Sequence, residues 1–151
     1  MAFCLKSRLI LFIRRMRMSK PIAVGTSREI TCETGSEHTA KYFYENLPSV
    51  FATPFLAGFM ERASAELINE HLEPGEQSVG ISMDLKHTAA TPLGMSVRIK
   101  TEVIALDGAK LTFQLKAWDE VEQIGQAVHE RCIIAADKFN ARVAKKVKAP
   151  A

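Results

Sequence analysis

Residues 53–75 read TPFLAGFMERASAELINEHLEPG, and this stretch predicts the longest helix of the chain. Apolar side chains recur in it at steps of three and four residues, which is the period of a helix with one buried face. The pattern places Thr53 at the N-cap and Pro54 at the first helical position, and Pro74-Gly75 ends the helix. We therefore expect about four to five turns of helix with a wide apolar side.

Strand-like patterns surround this helix. One extended run lies before it, within residues 21–34, and four runs follow it, at residues 78–86, 96–106, 110–118 and 123–135. The second and third of these four alternate apolar and polar side chains, and Asp107-Gly108 between them is a strong hairpin signal. The order predicts an α+β fold in which a four-stranded antiparallel meander and a fifth strand curl around a long central helix. Because the edge of such a sheet invites further pairing, we expect a dimer.

The charges divide the chain into three parts. Residues 1–20 carry six Lys or Arg and no acid, whereas residues 21–137 carry nine basic and seventeen acidic residues, a net charge of −8. We expect a basic N-terminal extension over 1–20, one domain over 21–142 and a basic tail over 143–151. An acidic domain argues against binding to nucleic acid, which needs a basic face.

The N-terminal extension also bears on the location of the protein. Its longest uninterrupted apolar run, residues 9–13, is too short for a signal peptide or a membrane span, so stable membrane insertion is not expected. The extension is predicted to be disordered, or to be absent from a protein whose translation begins at Met16 or Met18. Three cysteines without a CxxC pair favour a reducing compartment, and we expect a cytoplasmic protein.

Three residues provide the parts of an acyl-transfer site: the hydroxyl of Thr53, the carboxylate of Glu61 and the imidazole of His87. Each also has a purely structural interpretation, as a helix cap, a solvated acid that is free or paired with Arg62, and a surface or core histidine. In a continuous helix, Thr53 and Glu61 stand about 12 Å apart along the axis and cannot bond directly. Either Thr53 lies in a loop that folds back, or a second chain completes the site.

Four short motifs of the chain occur in an order and at spacings that are found in a known protein family. They are residues 50–53 (VFAT), 72–76 (LEPGE), 87–92 (HTAATP) with Gly94, and 129–131 (HER). In order and in near-identical spacing, and with Glu61 eight residues after Thr53, they resemble the hotdog-fold acyl-CoA thioesterases of the fluoroacetyl-CoA thioesterase-like family. The resemblance covers residues 48–142, most of the predicted domain.

The resemblance implies a hotdog fold and a homodimer, with further pairing into a tetramer left open. It also implies hydrolysis of a short-chain acyl-CoA to the free acid and CoA, with Thr53, Glu61 and His87 as catalytic residues. The backbone amide of Gly80 is expected to meet the thioester carbonyl. Whether Thr53 acts as nucleophile or holds the attacking water stays open. No metal is needed, and no cofactor is expected beyond the CoA of the substrate.

Three further residues are expected to bind substrate. Arg131 has two interpretations, a contact with a CoA phosphate or a structural pair with an acid on the next strand. Tyr44 and Leu47 lie in the segment that forms a phenylalanine-rich lid in the family. They stand where phenylalanines are expected, and this departure weakens the expectation of fluoroacetyl selectivity. His38 and His71 are expected to face solvent, and the four scattered histidines do not predict a zinc site.

Two other functions compete with hydrolysis. The same pocket would serve a non-catalytic hotdog protein that binds an acyl-CoA or a small acid. A hotdog enoyl-CoA hydratase is the third candidate, but such enzymes carry an Asp followed five residues later by a His on the helix. The predicted helix has no such pair.

Overall fold

The computed structural model of the protein describes residues 21–147. The predicted extension over 1–20 therefore lies outside the described residues, and so does the tail beyond residue 147. The helices and strands, in chain order, are β1 (Ser27–Glu33), two short 3-10 turns (Ser36–His38 and Ala40–Tyr42), α1 (Thr53–Asn69), β2 (Glu76–His87), β3 (Ser96–Asp107), β4 (Lys110–Trp118), β5 (Gln123–Ala135) and α2 (Ala136–Ala144).

The predicted elements are confirmed closely. The four strands after the helix begin and end within two residues of the expected positions, and the hairpin at Asp107-Gly108 joins β3 to β4. Helix α1 has 17 residues and ends at Asn69, before the predicted stop, with Gly75 in the left-handed conformation (φ 85°) in the turn that leads into β2. Helix α2 runs past residue 142, so the predicted domain boundary falls inside this helix.

The strand order corrects one expectation. All pairs are antiparallel, but the order across the sheet is β1-β3-β4-β5-β2, so β2 pairs with β5 and not with β3. The meander is therefore limited to β3, β4 and β5. The connection from β2 to β3 crosses the end of the sheet, where Thr91 Oγ1 donates a hydrogen bond of 3.0 Å to Asp119 in the β4–β5 turn. This buried threonine fixes the connection.

Helix α1 lies against one face of the sheet and joins its two edge strands, β1 and β2. Alternate residues of the strands point towards the helix and are buried, while their neighbours face away. The helix buries one side of its surface in this core, through Leu56, Met60, Ala63, Ser64, Leu67 and Ile68. This single core sets the position of both ends of α1. Thr53 lies in its first turn and Glu61 in its third, while Gly80 and His87 lie on β2 and Arg131 on β5.

Candidate active site

Thr53 and His87 meet where α1 begins and β2 ends. Thr53 Oγ1 lies 2.9 Å from Nδ1 of His87, although 34 residues separate them. The predicted capping role of Thr53 is wrong, because Ala52 takes the extended N-cap conformation and Thr53 is the first residue of the helix. Its hydroxyl is not engaged in a cap bond and is directed to the imidazole.

The surroundings of His87 keep its ring neutral. Burial lowers the pKa of His87 below its ordinary value, and a hydrogen-bonding interaction with the backbone of Ala89 offsets only part of this effect. Within the described residues, Nε2 is shielded from solvent and forms no hydrogen bond of ordinary geometry. A neutral imidazole whose Nδ1 faces a hydroxyl can accept that hydroxyl's proton, which is the requirement for a general base.

An open groove of about 280 Å³ runs past this pair. Its walls are Ala40, residues 50–53 and residues 87–90. The predicted lid residues do not line it in the single chain: Tyr44 and Leu47 lie on the neighbouring turn and are 62% and 40% exposed. Their roles in substrate binding therefore stay predictions.

Glu61, Gly80 and Arg131 form a second group, farther along α1 and β2. Arg131 Nη1 donates a hydrogen bond of 3.0 Å to Oε1 of Glu61, and the two side chains are 5% and 51% exposed. The Glu61 carboxylate passes so close to Gly80 that a Cβ at position 80 would lie 2.8 Å from Oε1. Of the structural alternatives for Glu61, the pairing with Arg62 does not occur, because Arg62 bonds Glu66 instead.

Arg131 is held by partners that the sequence did not indicate. Its Nε donates to Ser78 Oγ (3.1 Å) and its Nη2 to the Ser78 carbonyl (2.9 Å). Its acid is on the helix, not on the neighbouring strand. The guanidinium is therefore buried and bonded on each of its three nitrogens, an arrangement that favours the structural interpretation of this residue over a contact with a CoA phosphate.

The two groups are separated within one chain. Thr53 and Glu61 lie on one regular helix, so the alternative in which Thr53 folds back in a loop is wrong. Gly80 and His87 are seven residues apart on β2, about 23 Å of extended strand. No hydrogen bond among residues 21–147 connects Thr53 or His87 to Glu61 or Arg131. The other alternative, a site that a second chain completes, stays a prediction.

Two histidines near the site are engaged in ring packing and hydrogen bonds, and one of them, His38, was expected to face solvent. His38 is not solvent-facing, because its ring packs edge-on against Phe55 and Phe59 at centroid distances of 5.2 and 5.1 Å, and its Nδ1 accepts the Gly35 N–H. His129, 2% exposed, lies beside Arg131 on one face of β5, and its hydrogen bonds were not foreseen. A sequence signal existed in the alternation of residues 129–131, with Glu130 on the opposite face bonded to Lys110.

Two observations concern membranes and metals. None of the helices described between residues 21 and 147 is long and apolar enough to cross a membrane. In the same part of the chain, no group of three or more His, Cys, Asp or Glu side chains is arranged to hold a metal ion.

A five-stranded antiparallel sheet packed against one long helix is the hotdog architecture, and the comparisons with known proteins give its class as a thioesterase. Residues 35–137 match the family described as fluoroacetyl-CoA-specific thioesterase. A fluoroacetyl-CoA thioesterase from Streptantibioticus cattleyicolor is 42% identical over 106 residues, which cover 70% of this chain and 76% of that protein. The chain belongs to the family of fluoroacetyl-CoA-specific thioesterases, and the predicted family and fold are confirmed.

Solved structures agree with this assignment. A structure of the fluoroacetyl-CoA thioesterase superposes with a TM-score of 0.82 and 35% identity, covering 85% of this chain and 100% of that one. A mutant of the fluoroacetyl-CoA-specific thioesterase in complex with fluoroacetate and CoA superposes with a TM-score of 0.75 at the same identity, covering 79% of this chain and all of the other.

Proposed function

We propose that this protein hydrolyses the thioester of a short-chain acyl-CoA, of the size of fluoroacetyl-CoA, to the free acid and CoA. The observation that carries the proposal is the hydrogen bond of 2.9 Å between Thr53 and His87, beside an open groove. A hydroxyl paired with a neutral imidazole is the arrangement that activates an oxygen nucleophile. Membership of the family supports the same reaction.

In the proposed reaction, His87 takes a proton from the attacking oxygen, which belongs either to Thr53 or to a water held by it. The oxygen attacks the thioester carbon, and the carbonyl oxygen develops negative charge that the Gly80 N–H stabilises. Glu61 supports the activation of the attacking group. The carbon–sulfur bond breaks and CoA leaves as the thiol after it receives the proton. If Thr53 is the nucleophile, a water then hydrolyses the acyl ester.

A second copy of the chain brings the separated groups together. Strand β2 is an edge of the sheet, and Ile81 near its middle is 53% exposed. If β2 pairs antiparallel with β2 of a second copy, the beginning of one strand faces the end of the other. Gly80 and Glu61 of one protomer then approach Thr53 and His87 of its partner. We therefore propose that the working unit is at least a homodimer with two equivalent sites.

The reaction as proposed needs no cofactor beyond the CoA of the substrate. We place the protein in the cytoplasm, because Cys32 and Cys132 are free thiols and a reducing compartment keeps thiols free. We assign selection of the acyl group to the segment around Tyr44 and Leu47, where this chain has a tyrosine and a leucine in place of the phenylalanines expected for the family.

Release of free thiol from a panel of CoA esters tests the proposal. The panel contains acetyl-, fluoroacetyl-, propionyl-, butyryl- and phenylacetyl-CoA. Release from a short ester that is lost in Glu61→Ala and His87→Ala, but retained in the exposed control Glu122→Ala, is the expected result. If CoA esters stabilise the protein against heat but no thiol is released, the protein is a non-catalytic binder and hydrolysis is not its function.

A further inference from the structure

His129 is a buried imidazole that the proposed reaction does not use. It lies on β5 with its ring packed beside Phe113 of β4, at a centroid distance of 6.5 Å. Its Nδ1 lies 2.7 Å from the carbonyl oxygen of Ser82, and its Nε2 lies 3.3 Å from Nη1 of Arg131. Both ring nitrogens are therefore engaged by groups that surround the Glu61 side of the site.

The two partners of His129 select one form of the ring. A carbonyl oxygen only accepts, so Nδ1 carries the hydrogen that is donated to Ser82, and a guanidinium only donates, so Nε2 accepts from Arg131. Both bonds are satisfied by the same neutral tautomer. Burial lowers the pKa of His129 and disfavours the charged ring, as the adjacent Arg131 also does, while the Ser82 carbonyl and the Glu61 carboxylate act in the opposite direction.

The bond to Ser82 crosses an irregularity in β2. The register with β5 shifts between Gly80 and Ser82, so Ile81 is an extra residue in the strand. Bulges of this kind turn backbone groups out of the ladder and are frequent at edges and active sites. Because His129 binds the carbonyl of Ser82, it fixes the strand two residues beyond Gly80, on the far side of the bulge.

The bond to Arg131 leads to the carboxylate. Nη1 of Arg131 carries two hydrogens, and its two partners are Nε2 of His129 and Oε1 of Glu61. With Ser78 holding the other two nitrogens, His129 accepts the second hydrogen of Nη1 and helps to fix the guanidinium plane, which directs the first hydrogen to Glu61. A planar guanidinium with four of its five N–H groups bonded holds a carboxylate in one place.

We propose that His129 is a positioning residue, which through Arg131 fixes the Glu61 carboxylate and through Ser82 fixes the Gly80 amide, so that both face the same thioester. The inference rests on the proposed thioesterase function, in which these two groups act together. Displacement of a reacting group by about 1 Å costs on the order of a hundredfold in rate. The expected effect of losing His129 is therefore a fall in kcat with little change in KM.

Two substitutions separate hydrogen bonding from ring packing. His129→Phe keeps the ring shape and removes both polar atoms, and His129→Gln keeps one donor and one acceptor. We expect kcat to fall about ten- to a hundredfold in His129→Phe and to recover largely in His129→Gln. Phe113→Leu is the matched control, because it loosens packing beside the ring and leaves the hydrogen bonds in place. It is expected to lower stability and to keep kcat within about threefold.

A second comparison tests whether His129 acts through Glu61. In a Glu61→Ala background, His129→Phe is expected to lower the residual kcat by a smaller factor than in the parental protein, because only the effect through Ser82 and the Gly80 amide is left. An unchanged kcat in His129→Phe, or an equal loss with and without Glu61, would overturn the proposal. If His129→Phe does not fold, His129→Asn replaces it: Asn reaches Ser82 but not Arg131, and the same loss is expected.

Failure of the proposed function is distinguishable from failure of this inference. If the parental protein hydrolyses no CoA ester, the coupling is measured in urea unfolding of His129→Phe, Glu61→Ala and the double variant. If the midpoint shift of the double variant is smaller than the sum of the shifts of the two single variants, the link between the residues is supported. Additive shifts would show that His129 does not position Glu61.

Discussion

The Oε1 atom of Glu61 lies 2.8 Å from the point where a Cβ on residue 80 would stand, so the carboxylate occupies the space of a missing side chain. The same Cβ would lie 3.1 Å from Cε1 of His129. Gly80 is not in the left-handed conformation, so its requirement for glycine comes from this close approach and not from its backbone angles.

Gly80→Ala is therefore expected to displace Glu61 and to lower thiol release by about a hundredfold, with the fold retained. The measurement is kcat on the preferred CoA ester, with circular dichroism for folding. Gly58→Ala is the matched control, since a Cβ on this helical glycine meets nothing within 4 Å. It is expected to keep full activity and to stabilise α1 by about 1 kcal/mol. Full activity in Gly80→Ala would show that Gly80 and Glu61 do not belong to a common active site.

The hydroxyl of Thr53 is expected to be essential, and its methyl group dispensable. Thr53→Ala removes the partner of His87 Nδ1 and should lower kcat about a hundredfold or more, whereas Thr53→Ser should retain most of it. Thr88→Ala, at an exposed position that lines the same groove, serves as control and should keep its activity. Equal activity of the Ala and Ser variants would contradict a role for the hydroxyl.

Stability is expected to fall in mild acid. Burial lowers the pKa values of His87 and His129, so below about pH 6.5 the unfolded chain binds protons that the folded chain does not. Since the unfolded state then holds more protons, the free energy of unfolding decreases as the pH falls below 6.5, down to the lowered values, and is unaffected by these two groups above it.

Urea unfolding between pH 5 and 8 measures this dependence. The groups that face His129 are Arg131 and Glu61, and those that face His87 are the Thr53 hydroxyl and the Ala89 backbone. The variant His129→Gln, which does not titrate, is expected to show a shallower loss than the parent. An identical slope in the two proteins would mean that His129 protonates equally in the folded and unfolded states.

The division of the site predicts complementation between two inactive variants. Mixing Glu61→Ala with His87→Ala and refolding them together gives heterodimers in about half of the molecules. If each site takes Glu61 from one protomer and His87 from its partner, every heterodimer keeps one intact site of two. About a quarter of the parental specific activity is then expected. No recovery in a mixture that contains heterodimers would place all the catalytic groups of a site in one chain.

The sequence predicted best what depends on neighbours along the chain. The alternation of Val97, Ile99, Thr101 and Val103 defined β3 because these residues share the face against the helix. The strand order was missed, since the pairing of β2 with β5 depends on residues about 50 positions apart. The capping role of Thr53 failed for a similar reason: its hydroxyl has a competing partner in His87, which only the folded chain brings near.

For the candidate site, residue types were easier to predict than their contacts. Arg131 and Glu61 are 70 residues apart, and nothing in the local pattern of either indicates their bond. The burial of His38 was missed because it arises when the 3-10 turns fold against Phe55 and Phe59 of α1. A contact between a turn and a helix leaves no periodic pattern in the sequence. The separation of Thr53 from Glu61, in contrast, followed from helix geometry alone and holds in the structure.

The 23 Å of strand between Gly80 and His87 have a kinetic consequence. If a lone protomer carries two incomplete halves, turnover on strong dilution becomes second order in protein, because the encounter of two copies precedes every active centre. Specific activity then depends on the concentration of the protein in the cell. A newly synthesised chain hydrolyses no CoA ester until it has bound a second copy of the chain.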